Sequence, residues 1–409
     1  MSYFSFLGTN ARWLGAGFLL TAFSCFGQTF FISMSLGDLR QELGLSHGDM
    51  GLIYMAATLA SAAMLPWVGR SVDAYPLHKV ALVVMLCLTA LCVAMANVHS
   101  VPVLIAVIFG LRLSGQGMMS HISFTAMGRW YSAQRGRAVS IASLGFPAAE
   151  ALMPIAFVTF TGIYGWRAGW WAATAIMLLF ALPVIVALLF RPRVPTAAET
   201  ASTENRQRDW TRKEVLRDPV FWAIAAGVLA PPCFGTAVMF NQVYLVELRG
   251  WSREMFASTF AVMAFMAVVA SLILGPLIDR ISARRLLPFM LVPLGLASLV
   301  LGLVHAPIAA FVFMGLLGIS NGFTSTFAGA LWPEIYGVRH IGAIRALAFA
   351  LMVFASAAGP GLIGLLIDAQ VPFDLQLVGI SLYCAAISLV LTGASRVLAS
   401  RQQPIPEIA

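Results

Sequence analysis

The chain has 409 residues, 60% of them apolar or aromatic and only 10% charged, against roughly 25% charged in an average soluble domain. This composition excludes a water-soluble fold. The net charge of +8 does not point to nucleic acid, because the basic residues punctuate apolar segments and form no single patch.

Apolar runs bounded by charge, Gly or Pro fall at about 13–37, 48–69, 79–97, 101–125, 138–162, 168–190, 219–246, 255–278, 286–304, 307–330, 341–367 and 374–395. A bilayer span needs about 20 apolar residues, so these runs predict twelve transmembrane helices in an all-α polytopic protein. The first run is too long for the apolar core of a signal peptide and lacks a small-residue cleavage pattern, so it reads as a retained helix. Cys25, Cys87, Cys92, Cys233 and Cys384 all lie inside these runs, as small buried hydrophobes and not as a disulfide framework.

An even number of spans puts both termini on one face. Of the 25 Lys and Arg residues, 20 fall on that face, four (Arg40, Arg167, Arg249, Arg253) on the other, and one, Arg112, within a span. Because cytoplasmic loops carry the excess of cations, the termini are expected in the cytoplasm. Residues 191–218 are polar, Pro-interrupted and charge-mixed, and read as a flexible linker between a six-helix bundle at 1–190 and a second at 219–409 that ends in a short cytoplasmic tail.

The two halves repeat at a constant offset. Gly44-Leu45-Ser46 matches Gly250-Trp251-Ser252, and a glycine expected to open a loop follows each Ser after 23 residues, at Gly69 and Gly275. An Asp stands four residues further on, at Asp73 and Asp279, and Gly136 corresponds to Gly342. All these pairs are 206 residues apart, the signature of a duplicated bundle.

The second-half stretch GPLIDRISARR, Gly275 to Arg285, resembles the G-x-x-x-D-R-x-x-x-R-R loop between the second and third helices of each half in the major facilitator superfamily. The first-half copy, GRSVDAYPLHK, has Ala74 where the pattern has Arg and supplies a late cation only at Lys79. The resemblance implies the two-bundle major facilitator fold, functional as a monomer. It also implies a gating role for Gly69, Asp73, Gly275, Asp279, Arg280, Arg284 and Arg285, whose contacts would hold one face shut in one state and break in the other. Simple turn chemistry and positive-inside topology account for the same residues without gating. RWYSAQRGRAVSIASLG (129–145), GWRAGWW (165–171) and DPVFW (218–222) resemble motifs of bacterial monocarboxylate and oxalate/formate porters. That resemblance implies a small organic anion moved with protons or by exchange, in a bacterial inner membrane. Such porters often carry a cation in the middle of helix eight or eleven. Here Met255 to Leu277 has none, and Arg345 lies near the start of helix eleven.

Arg112, His121 and Glu150 are the ionisable residues inside spans, and a charge at that depth costs several kcal/mol, which makes each a functional candidate. Ten residues from Pro102, at about 1.5 Å per residue, put Arg112 roughly 15 Å deep, near the midplane of a roughly 30 Å core. Its planar guanidinium suits a carboxylate. Glu150 is expected within reach of that fork, so that protonating it frees Arg112 for an anion and couples the two movements. The competing reading is a permanent Arg112–Glu150 pair that welds helices four and five. His121 reads either as a proton relay or as a packing residue. Gln28, Asn241, Tyr244, Asn321 and Thr324 are neutral candidates for a substrate cavity, since helices one, four, seven and ten face it in this superfamily; interhelical hydrogen bonding is the alternative for each.

No Walker A phosphate loop, H-E-x-x-H or Cys/His ligand cluster occurs in the sequence, so neither ATP-driven pumping nor cofactor chemistry is expected. The reading is a secondary carrier of a small organic anion, with protons and the lipid bilayer as its other partners and no nucleic acid. A proton-antiport drug or metabolite exporter is the main competitor, with Glu150 and a Phe- and Met-rich cavity as its support. An intramembrane enzyme using Arg112, His121 and Glu150 is a distant third.

Overall fold

A computed structural model describes residues 3–131, 135–191, 210–337 and 341–401, apart from some side chains that include Asp279. Every regular element among them is helical. Among the described residues, twelve helices are long and apolar enough to cross a membrane: Gly8–Ser33, His47–Ala74, Leu77–Ala96, Val101–Trp130, Arg137–Tyr164, Trp166–Leu189, Pro219–Phe240, Arg253–Gly275, Ala283–Leu303, Ile308–Phe327, Leu347–Asp368 and Phe373–Arg401. Their outward faces are apolar. Leu179, Leu389, Phe265 and Ile163 are each more than 60% exposed, a surface that lipid stabilises and water does not.

The repeated Gly-x-Ser is a helix-to-helix joint. Gly44 and Gly250 adopt left-handed φ of 63° and 64° and close the preceding helices. Ser46 and Ser252 then accept hydrogen bonds from the N–H groups of Asp49 and Met255, capping the next spans. The second glycine pair behaves otherwise. Gly69 is the C-cap that ends the helix His47–Val68, with a right-handed φ of −59°, whereas Gly275 lies inside the helix Arg253–Ile281. The chain turns later, at Tyr75–Pro76 and at Ser282, whose φ is 82°. The expectation that a glycine opens a loop at both sites is corrected for Gly275, which is helical; Gly69 does stand where its helix ends, and neither position needs a left-handed backbone.

Two compact units divide the described chain. The first is Met1–Thr203 with Met239–Ala261, and the second is Glu204–Val238 with Val262–Ala409. In the first unit, Arg12 donates from Nε to the carbonyl of Leu188 at 2.9 Å and from Nη2 to that of Ala187 at 2.6 Å, tying the first span to the sixth. The GWRAGWW motif serves the loops of the opposite face. Arg167 makes a bidentate pair with Glu42 at 2.7 and 2.6 Å, Trp166 donates to the same carboxylate, and Trp170 donates to Ser35. Arg167 holds the Glu42 carboxyl below the usual range against partial burial, with help from Trp166.

In the second unit, part of the expected linker is ordered. Thr211 and Glu214 form a reciprocal cap on the helix Arg212–Arg217. The next residue, Asp218, is buried. It caps the seventh span through the N–H of Val220 and accepts from both Nη atoms of Arg401 at 2.8 and 2.9 Å and from the Tyr336 hydroxyl at 3.0 Å. Burial pushes the Asp218 carboxyl up, but these hydrogen bonds outweigh it and the net shift is downward.

Candidate functional site

The first and fourth spans cross where both depart from regular helix. Ser24–Gly27 tightens into a 3-10 turn and Gln28 is extended, with φ −84° and ψ 152°, before helix resumes at Thr29–Ser33. A Cβ on Gly27 would lie 2.2 Å from the Leu111 oxygen, and one on Gly115 would lie 2.7 Å from Gly27 Cα. Only glycine permits this approach. Facing the break, Arg112–Met119 widens into π-helix, a distortion that often accompanies functional sites.

The crossing holds Arg112, which is 2% exposed. Its Nη1 donates to the Gly27 carbonyl at 3.3 Å and to Thr29 Oγ1 at 3.2 Å. Its guanidinium carbon lies 5.3 Å from the centroid of the Tyr54 ring, and the Tyr54 hydroxyl is 2.5 Å from Thr29 Oγ1. Phe240 packs on the same ring at 4.7 Å. The side chain therefore points inward and does not snorkel. Arg112 Nε is buried with no hydrogen-bond partner, and among the described residues no carboxylate pairs with the guanidinium. All its contacts are neutral oxygens and a ring face. A buried ion without a counter-charge carries a penalty of several kcal/mol, which an anionic ligand would relieve.

The expected meeting of Arg112 and Glu150 is not formed. Glu150 lies on the helix Gly145–Tyr164, half-buried, with no hydrogen bond or ion pair among the described residues. Arg112 turns to the broken first span instead, where a carbonyl is on offer. A permanent Arg112–Glu150 weld is thereby excluded in this structure.

The neutral candidates separate. Gln28 sits in the break itself and donates weakly to Ser24 Oγ at 3.4 Å. Asn241 is buried at the head of the helix Gln242–Arg249, and Tyr244 packs its ring on His47 at 4.6 Å, away from Arg112. Asn321 and Thr324 belong to the second unit. Asn321 is exposed on the tenth span, while the Thr324 hydroxyl is buried and donates to the Ser320 carbonyl.

His121 and the gating candidates lie toward the terminal face. The His121 Nε2 is 3.2 Å from the point a Cβ on Gly69 would occupy, so the glycine makes room for the imidazole. Asp73 pairs with Arg129, which also donates to the Val72 carbonyl at 2.9 Å. A Cβ on Gly275 would meet no atom within 4 Å. The Asp279 side chain lies outside the described residues, Arg280 and Arg285 are exposed, and Arg284 is half-buried. There the acceptor is Glu334, whose carboxylate takes the N–H of Ala283 at 2.8 Å and that of Arg284 at 3.4 Å. Among the described residues no group of His, Cys, Asp or Glu is arranged to hold a metal ion.

The sequence reading missed Tyr54, Thr29 and Glu334. The first two are uncharged and lie in apolar surroundings, so nothing but the contact itself marks them.

The family model described as Major Facilitator Superfamily matches residues 17–360 and, in a second match, 233–407. No curated protein matches the chain by sequence. Among solved structures, an inward-facing, unoccupied bacterial homologue of the human lysosomal transporter Spinster is 15% identical over 97% of this chain and 98% of its own, with a TM-score of 0.74. Its occupied form is 17% identical over 98% of both chains, with a TM-score of 0.67. A mutant of the nucleoside transporter NupG is 15% identical over 95% of this chain and 99% of its own, with a TM-score of 0.65. At these identities the similarity shows the fold.

Proposed function

The chain belongs to the major facilitator superfamily, and on that premise we propose that it is a secondary carrier of a small organic anion, a monocarboxylate by preference, coupled to protons and working by alternating access. One observation carries the reading: Arg112 is buried near the middle of its span with neutral partners and an unused Nε–H. A carboxylate would supply the missing acceptors and the missing charge together, since charge-assisted bonds to guanidinium are among the strongest available. A nucleoside, the cargo named for one structural neighbour, is uncharged and would leave the penalty in place. A lipophilic cation would be repelled.

Glu150 is the proposed proton carrier, a carboxyl inside a span with no partner to hold its charge. In this scheme it acts near the first span without sharing the Arg112 fork. His121 is a second relay candidate. The excess of cations on the terminal face supports a cytoplasmic position for both termini, in a bacterial inner membrane.

The test is uptake by purified protein in liposomes, screened against mono- and dicarboxylates and lipophilic cations, with and without an imposed pH gradient. Saturable carboxylate uptake driven by the gradient, lost in Arg112→Ala and made insensitive to the gradient in Glu150→Gln, is expected. Uptake confined to lipophilic cations would overturn the anion assignment.

A further inference from the structure

On the face opposite the termini, residues 30–38 are latched to residues 239–253 within the first unit. Gln242 Nε2 donates to the Phe30 carbonyl at 3.1 Å and to Ser33 Oγ at 2.8 Å, and Ser33 Oγ donates to the Met239 carbonyl at 3.1 Å. Gly37 admits Val243 so closely that a Cβ would stand 2.6 Å from its methyl carbon. Beside this seam lies a cavity of about 30 Å³, bordered by Gln242 and Arg253 among apolar side chains. At its rim Arg253 is shared by two acids: Nη2 is 3.2 Å from Glu247, and Nη1 is 3.5 Å from Asp38.

Two carboxylates around one guanidinium leave a negative charge in a partly buried place. Asp38 is the more weakly held of the two, and its side chain is 33% exposed. We propose that Asp38 is a proton-binding site, and that the closed latch binds this proton more tightly than the open one, so that opening this face releases it.

Burial lifts the Asp38 carboxyl above the usual aspartate range; Arg253 opposes the rise, while Glu247 and Glu42 add to it. Since the folded value is raised, protonation favours the packed arrangement, and raising the pH through that value weakens it. The other charged groups on the surrounding elements are Arg40 on its own helix, Arg249 on the helix of Glu247, Glu254 next to Arg253, and His47 and Asp49 at the start of the second span. Glu42 is engaged by Arg167, and Asp49 by the N–H of Ser46.

The inference deepens the proton-coupled part of the proposed function and rests on that part alone. Its test needs no substrate, so failure to find carboxylate uptake leaves it standing, and its own failure leaves Arg112 as it was. Amide exchange of the full chain in detergent, corrected for the intrinsic rate, would be followed in residues 239–256. Wild-type exchange there should be roughly five-fold slower at about pH 4.5 than at about pH 7.5. Asp38→Asn, permanently neutral, should exchange slowly at both, and His47→Gln should keep the wild-type response. Three results would overturn the proposal: wild-type exchange that quickens in acid, an Asp38→Asn protein that retains the pH response, or a response abolished by His47→Gln. If Asp38→Asn does not fold, the wild-type and His47→Gln profiles decide the matter.

Discussion

Arg112 and Gly318 stand 206 residues apart, at the offset that relates the two halves of the sequence, each on the fourth span of its half. Around Arg112 the helix widens, and a guanidinium occupies the space against the broken first span. At Gly318 the tenth span closes on the eighth, so that a Cβ would lie 2.2 Å from the Met263 oxygen, and Gly322 repeats the contact one turn later with 2.4 Å to the Ala267 oxygen. One copy of the repeat spends this position on an uncompensated charge and the other on close helix packing. The two copies therefore share the scaffold but differ at this position, and the proposed anion site lies in the first unit.

The largest effect is expected where packing is tightest. Gly318→Val should give no monodisperse protein in size-exclusion chromatography, since a methyl cannot coexist with the Met263 carbonyl and overpacking of this severity costs about 3 kcal/mol or more. Gly275→Val, placed in open space, should elute as wild type. At the Arg112 end, Arg112→Ala should weaken anion binding about a hundred-fold, the equivalent of two lost charge-assisted bonds. Its melting temperature should stay level or rise, because removing a buried unpaired charge relieves the fold. A fall in melting temperature with unchanged binding would make the residue structural.

A second corresponding pair, Arg12 and Asp218, ties the first span of each half to its last, in one case to bare carbonyls and in the other to Arg401. Asp218→Asn should cost about 2 kcal/mol by thermal denaturation at neutral pH. Because the folded carboxyl is held below the usual range, this contribution is present above the ordinary aspartate value and fades as the pH drops through the folded one. Wild type and variant should therefore converge in acid. The smallest change is expected at Asp73 and Arg129, whose side chains are 68% and 44% exposed. Arg129→Ala should shift stability by less than about 1 kcal/mol, while Glu334→Gln, at the matching end of the tenth span, should shift it more because two N–H groups of the next helix lose a charged acceptor.

The twelve spans and the isolated Arg112 were legible because hydropathy and intramembrane charge are one-dimensional signals. The Gly-x-Ser repeat was legible too, although its meaning as a paired helix stop and start needed backbone angles. The break at Ser24–Gln28 was not, because it contains no proline and rests on Gly27 meeting Gly115 from a distant part of the chain. Tyr54, Thr29 and Gln242 escaped for the same reason: neutral side chains in apolar runs gain importance only from what they touch. Asp218 stands out within DPVFW as part of a motif, while its bond to Arg401, 183 residues away, is a tertiary fact.

The widened stretch Arg112–Met119 also sets the angular phase of everything beyond it on the fourth span. Each residue of an ordinary helix turns the chain by about 100°, whereas a π-helical turn, closed by i→i+5 bonds, takes in an extra residue. Beyond it, His121 lies against Gly69 and Arg129 pairs with Asp73. Deleting one residue between 112 and 119 would let this stretch close up as ordinary helix, keeping His121 and Arg129 on their present faces while removing the widening beside the proposed anion site.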